Sequence, residues 1–214
     1  MKYHKLVENA KKPNGFWGKM MIKAMNKGHS SLTSWGLEHM NIERTATVLD
    51  IGCGGGKTVD RLCSIVANGK VYGIDYSELS VKSSEKLNSK NILCNKAKIL
   101  QASVSDMPFD DNTFDNITAV ETYYFWPDKE NDVKEVFHVL KQGGTVMLLF
   151  EMLRTDDDPF KWEKVENMLN IKSVTPQEIR AVLESAGFEN INTYTKEGTT
   201  WLCATAQKPK DDEN

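Results

Sequence analysis

Through the middle of the chain, short runs of apolar, β-branched residues alternate with stretches whose apolar residues recur every three or four positions. "TATVLDI" (45–51) is a compact apolar run closed by an acidic residue and a glycine cluster, the pattern of a buried strand entering a tight turn. "KTVDRLCSIVA" then sets Val59, Leu62, Cys63 and Val66 at helical spacing, and "NGK" ends that helix. "KVYGIDYS" repeats the strand pattern and again closes on an aspartate, Asp75. Ser77 is placed to cap the polar helix "SELSVKSSEKLNSK". "KAKILQASV" and "FDNITAVET" predict a third and a fourth strand on either side of the turn-rich "MPFDDNT". "DKENDVKEVFHVLKQGG" predicts a helix with Val133, Val136, Phe137 and Leu140 on one face. "TVMLLFEML" predicts a fifth strand, almost unbroken in apolar character, as a strand covered on both faces must be.

The two ends depart from this alternation. Two helices, "NGFWGKMMIKAMNKG" and "LTSWGLEHMNI", precede the first strand. After the fifth, "RTDDDPFKWEKVENMLN" and "TPQEIRAVLESAGF" predict helices with Pro159 and Pro176 in their first turns. "ENINTYTKEGTTWLCATAQ" predicts two strands around Lys196-Glu197-Gly198, and the polar end 208–214 is expected to be disordered. Repeated β-then-α units wind right-handed into a parallel sheet covered by helices. The expected architecture is therefore α/β and doubly wound, with a mostly parallel seven-stranded sheet and a C-terminal antiparallel hairpin. Its divisions are an N-terminal helical cap over 1–44, the sheet domain over 45–207 and the tail.

Composition narrows the picture only slightly. The 214 residues suffice for one sizeable core, and 40% hydrophobic with 27% charged residues is ordinary for a globular protein. A net charge of −3 gives no global attraction to nucleic acid or to an anionic surface. "MKYHKLVENAKKPNG" lacks a signal-peptide pattern and no apolar run reaches the length of a membrane span, so a cytoplasmic protein with no membrane partner is expected. Cys53, Cys63, Cys94 and Cys203 are scattered without metal-ligand spacing, and no metal site is expected.

"DIGCGGGKT" (50–58) carries the candidate chemistry. It ends like a P-loop, but that motif needs a glycine at position 51, which is Ile51. A dinucleotide fingerprint would put a small residue where Lys57 stands, against close helix–strand packing. What fits is D-x-G-x-G-x-G: Asp50, Gly52, Gly54 and Gly56. A strand-end carboxylate can accept hydrogen bonds from an amino group, and glycines let a ligand approach the backbone. Asp75 ends the next strand, where a carboxylate can hold ribose hydroxyls. A ligand with an amino-acid end and a nucleoside end meets both demands, which points to S-adenosylmethionine.

With "VLDIGCGGGKT", "VYGIDYS", "ASVSDMPFDDNTFD" and "VLKQGGTVML" in this order, the chain resembles the class I S-adenosylmethionine-dependent methyltransferases, most closely the branch with the ubiquinone and menaquinone biosynthesis methyltransferases. The resemblance implies a Rossmann-like methyltransferase fold with N-terminal lid helices. It implies that Asp50, Gly52 and Gly54, with Cys53 in the same loop, line the methionine part of the cofactor. Asp75 would bind ribose, and Tyr76 would lie against adenine. Ser103 and Val104 stand where relatives carry an acidic residue and a backbone donor for the adenine amino group, so serine is a departure. Glu121, closing the fourth strand, joins the cofactor set.

For the acceptor, "ETYYFW" lies at the carboxyl edge where open α/β sheets bind ligands, so any of Tyr123, Tyr124, Phe125 and Trp126 can line a pocket or pack beneath the next helix. His29, in the Gly/Ser-rich "NKGHSSLTSW", is a candidate general base. Tyr123 and Glu151 complete the catalytic candidates. Cys53 reads as a small filler, since no base stands beside it. Methyl transfer from a sulfonium needs alignment more than acid–base help, so the acceptor is not written in the cofactor motifs. A small-molecule acceptor is the first reading, with nucleic acid disfavoured and a homodimer left open. A protein or RNA methyltransferase with "KYHKLVENAKK" as its basic strip, a non-turnover cofactor-binding protein and a nicotinamide oxidoreductase remain as alternatives.

Overall fold

The computed structural model describes residues 9–210. Seven strands form one sheet: β1 (Thr47–Ile51), β2 (Lys70–Asp75), β3 (Ala97–Gln101), β4 (Phe114–Val120), β5 (Leu140–Phe150), β6 (Glu189–Thr195) and β7 (Leu202–Gln207). Their order is β3-β2-β1-β4-β5-β7-β6. The first five run parallel, and β7 is antiparallel to both β5 and β6, so the expected terminal hairpin is wedged into the sheet through its second strand. The apolar runs read as strands are buried on both faces. In β5, Met147 and Leu149 pack with Leu32 and Cys203 on one side, while Val146, Leu148 and Phe150 join the larger core on the other. The chain order reverses direction between β1 and β4, and this switch point opens a crevice at the carboxyl ends of both strands.

The helices are α1 (Gly15–Gly28), α2 (Ser30–Leu37), α3 (Lys57–Ile65), α4 (Glu78–Leu87), α5 (Ser89–Leu93), α6 (Lys129–Val139), α7 (Glu163–Leu169) and α8 (Pro176–Ser185). Ser77 caps α4, and Pro176 opens α8 behind a Thr175/Glu178 capping box. Three expectations need correction. The helix before β5 stops at Val139, and "LKQGG" belongs to the strand: Phe114 pairs with Leu140 but Asn116 pairs with Thr145, so the extra residues bulge out on one side. The helix expected over 154–170 is only the seven residues of α7. Pro159 lies in the turn before it, pinned where the Trp162 indole donates to the Leu153 carbonyl at 3.0 Å. The tail is not free from its first residue. The Lys208 ammonium is buried and donates to the carbonyls of Phe137, His138 and Leu140, a cation closing the C-terminal end of α6. The remainder of the expected tail, 211–214, lies outside the described residues, as does most of "KYHKLVENAKK".

The two N-terminal helices differ in kind. α2 belongs to the core. Leu32 is buried, Gly36 presses on Leu149 so closely that a Cβ would stand 2.6 Å from it, and Trp35 packs against Trp201. α1 lies across the glycine loop. Its Gly18 and Ile22 are buried, and a Cβ on Gly55 would meet Ile22 and Asn26 at under 3 Å. The Gly/Ser-rich segment between them is a single-residue break at His29, and the Arg61 guanidinium fixes its far side by donating to the Ser30 carbonyl and hydroxyl at 3.0 Å each.

Candidate active site

The glycine loop after β1 is held by its own backbone. The Cys53 amide donates to the Ile74 carbonyl at 2.9 Å, the Gly56 amide to Cys53 at 2.8 Å, and the Asn88 side chain to the Gly56 carbonyl at 3.0 Å. Gly52 has φ of +68°, and a Cβ there would stand 2.2 Å from the Thr122 hydroxyl. Gly54, also at positive φ, would meet nothing nearer than 4.0 Å. One glycine closes against β4 and the next leaves room for a ligand to reach the backbone.

Two carboxyls frame this loop. Asp50 is buried and accepts from the Thr118 hydroxyl at 2.8 Å, its register partner on β4. Burial pushes its carboxyl up to about 7, with nearby Asp75 adding to the shift and Thr118 opposing it. Asp75, expected to hold ribose hydroxyls, accepts from the Gly54 amide at 2.9 Å and the Ser77 amide at 2.8 Å, so it also braces the glycine loop. Burial raises its carboxyl too, and these amide donors oppose the rise. Each of its oxygens retains a lone pair for a further donor. Tyr76 is 37% exposed and donates its hydroxyl to the Lys11 carbonyl. Ser103 and Val104 border the crevice beside Ile74, Asp75 and Tyr76. Cys53 lines the crevice, but burial pushes its thiol far up and its sulfur sits 3.8 Å from the Ser84 hydroxyl, an inert packing group.

The crevice continues beyond β4 beneath α1. Met21, Met25 and Asn26 line it from above, facing Phe125, Met152, Leu169 and Ile171. His29 and Glu121 line it, and exposed Glu151 stands beside them, three groups far apart in sequence. His29 Nε2 is 3.9 Å from Glu151 Oε2, and the nitrogen and carboxylate oxygens of His29, Glu121 and Glu151 all fall within 4.8 Å of one another. Glu121 has φ of +57° and accepts from the Glu151 amide and, at 3.4 Å, the Tyr124 hydroxyl. Burial lifts the Glu121 carboxyl to about 8; the Glu151 amide opposes this and the Glu151 charge adds to it. Burial lowers the His29 imidazole more than Glu151 raises it. The group can take up a proton, and its donor set could also hold a cation.

Tyr123 is the site candidate that the structure moves away. It is 5% exposed and packs against Phe150 and Trp126, with Lys129 over its ring, and it borders neither part of the crevice. In the three-residue turn Tyr123–Phe125, Phe125 borders the crevice, and so does Tyr124. Its hydroxyl accepts from the Met152 amide at 2.9 Å. Sequence reasoning also missed Thr118 and Thr122; parallel pairing of β1 with β4 was the signal that sets Thr118 beside Asp50. Met152, Leu169 and Ile171 had no signal, since only the tertiary fold brings them to α1.

A ligand crevice at the switch point of a doubly wound sheet, with a glycine loop between two strand-end aspartates, is the arrangement by which α/β proteins bind nucleoside cofactors. The chain belongs to the class I S-adenosylmethionine-dependent methyltransferases. The methyltransferase domain family matches residues 49–148. The ubiquinone/menaquinone biosynthesis C-methyltransferase UbiE of Cronobacter sakazakii is 30% identical over 181 residues, 73% of this chain and 72% of that one. The uncharacterized methyltransferase YdaC of Bacillus subtilis is 27% identical over 183 residues, 85% of this chain and 93% of that one. Several other curated relatives are longer, and the chain spans about half their length or less. Among solved structures, human N-acetylserotonin methyltransferase in complex with SAM has the same fold, with a TM-score of 0.71 and 17% identity over 88% of this chain and 55% of that one. The protein is a methyltransferase and its cofactor is S-adenosylmethionine. The open approach to Gly54 and the two buried carboxyls fit that group. No helix among the described residues is long and apolar enough to cross a membrane.

Proposed function

We propose that this methyltransferase acts on a small, largely apolar acceptor held beneath α1, next to the cofactor. The observation that carries the reading is the makeup of the crevice beneath α1: Met21 and Met25 of α1, Met152 just after β5, and Leu169 and Ile171 line it together with His29 and Glu121, and Glu151 stands beside that pair. A pocket of that kind takes an apolar body and addresses a single polar atom. The relative UbiE is named as a quinone-biosynthesis C-methyltransferase, which is compatible with an acceptor of this shape. When bound, the sulfonium cofactor supplies an already activated methyl group. Asp50, Gly52 and Gly54 would hold its amino-acid end, Asp75 its ribose, and Tyr76 with Ser103 and Val104 its adenine. Glu121 moves in this reading from the cofactor set to the acceptor side.

The neutral imidazole of His29, with Glu151 to receive it as a cation, is the group able to take a proton from the acceptor. α1 excludes water from this half of the crevice, and residues 15–28 form the cap, with α2 as its anchored base. The test is S-adenosylhomocysteine release from a panel of phenols, quinols and small amines, run beside a histone peptide mixture and RNA. Turnover confined to the small apolar members is expected, with His29→Gln moving the acid limb of the kcat profile. Turnover only on peptide or RNA would overturn the reading.

A further inference from the structure

α1 has a second face that the acceptor pocket does not use. Its inner side carries Gly18, Met21, Ile22, Met25 and Asn26 onto the glycine loop and the crevice. Phe16, Lys19, Met20, Lys23 and Lys27 follow at the i, i+3, i+4, i+7 and i+11 spacing of one continuous opposite stripe. Phe16 is 70% exposed and Met20 43%, two large apolar side chains one helical turn apart in solvent. The charge of this segment is also one-sided. Residues 9–37 include Lys11, Lys12, Lys19, Lys23 and Lys27 and no aspartate or glutamate, whereas the whole chain has 27 basic and 30 acidic residues.

We propose that the outer face of α1 docks on a bilayer surface carrying anionic phospholipids. Basic side chains interleaved with an aromatic and a methionine on one side of a short helix match a monolayer interface: lysines reach phosphates while Phe16 and Met20 enter the headgroup–acyl boundary. Like charge along the stripe opposes a second copy of this chain as the occupant. No spanning helix is required, and the contact is peripheral and salt-dependent. It would hold the crevice close to lipid with α1 between them; a role for that nearness in acceptor supply rests on the apolar-acceptor reading, and the surface contact itself does not.

The test is co-sedimentation of the full chain with vesicles of phosphatidylcholine alone and of phosphatidylcholine mixed with phosphatidylglycerol. Binding to the mixed vesicles is expected, lost at high salt. An excess of soluble glycerol 3-phosphate should fail to release the protein, separating a headgroup on a surface from free phosphate. Replacing Lys19, Lys23 and Lys27 together by Gln should weaken binding about a hundredfold, at roughly fivefold per lysine near an anionic surface. Phe16→Ser with Met20→Ser should weaken it about tenfold with the lysines intact. Calorimetric binding of S-adenosylhomocysteine, unchanged in both variants, shows that they are folded and tests the cofactor site separately. Equal affinity for both vesicle types, no effect of the lysine variant, or capture of an RNA oligonucleotide without vesicle binding would each overturn the proposal.

Discussion

On the side of β1, β2 and the glycine loop, the crevice is built from backbone. Gly52 sits at a positive φ with no space for a methyl group, and Asp75 accepts two loop amides. The facing side, made of α1, Met152 and residues 169–171, is built from flexible side chains around one polar cluster. Backbone geometry admits few substitutions, so the first side carries a recognisable motif. Methionine and leucine repack around many shapes, so the second carries none. Perturbing the first should therefore damage cofactor binding and the second should not.

The sharpest break is expected from Gly52→Val. The new side chain would collide with Thr122 and force a β-branched residue into left-handed backbone. S-adenosylhomocysteine binding should fall below calorimetric detection, with a lowered Tm. Ordinary affinity in this variant would mean that the loop is free to move and that the distinction between the two sides is false.

Asp75→Ala should come next. Losing the carboxylate removes ribose acceptors and leaves the Gly54 and Ser77 amides short of a partner, for about 1–3 kcal/mol in binding and a comparable loss of stability. Asp75→Asn retains one acceptor oxygen and should recover part of both. An alanine variant of full affinity would assign the ribose elsewhere.

Proton linkage at Asp50 sets a smaller effect. Burial holds its carboxyl up at about 7, against an ordinary 3.8, and only the ionised form attracts the cofactor's ammonium group. Affinity should rise with pH up to about 7 and level off above it, changing about tenfold per unit on the acid side. Folding stability of the free protein should run the other way: as pH climbs from 3.8 to about 7, the unfolded carboxyl releases its proton while the folded one keeps it, so stability falls. Asp50→Asn should flatten this contribution in both profiles. A pH-independent affinity in the native chain would remove Asp50 from the ammonium site.

Much of this contrast could be read from sequence, on one side only. Short apolar runs closed by turn residues marked all seven strands, though not the start of β5, and the spacing of Asp50, Gly52, Gly54 and Asp75 set out the cofactor loop, because strand ends and turns impose local chemical demands. Tyr123 was misplaced for Tyr124 because a three-residue turn has no period to say which side chain faces inward. Lys208 looked like tail because its partners are carbonyls at the end of α6, some seventy residues away. The grouping of His29, Glu121 and Glu151 likewise depends on α1, β4 and β5 meeting, which no local signal encodes.

The smallest expected effect falls on the acceptor side and is the most discriminating. Met25→Ala removes a half-buried side chain that lines the crevice from α1, at about 1 kcal/mol of lost apolar contact. If the acceptor lies against α1, its KM should rise several-fold while kcat changes little, because the loss is of binding shared by ground and transition states. Affinity for S-adenosylhomocysteine should stay within about twofold, since the glycine loop keeps its own hydrogen bonds and Ile22 and Asn26 still cover Gly55. The measurements are steady-state kinetics on the best acceptor of the panel and calorimetry on the free protein. A matched fall in cofactor affinity would make α1 part of the cofactor site, and the two sides of the crevice would then be one.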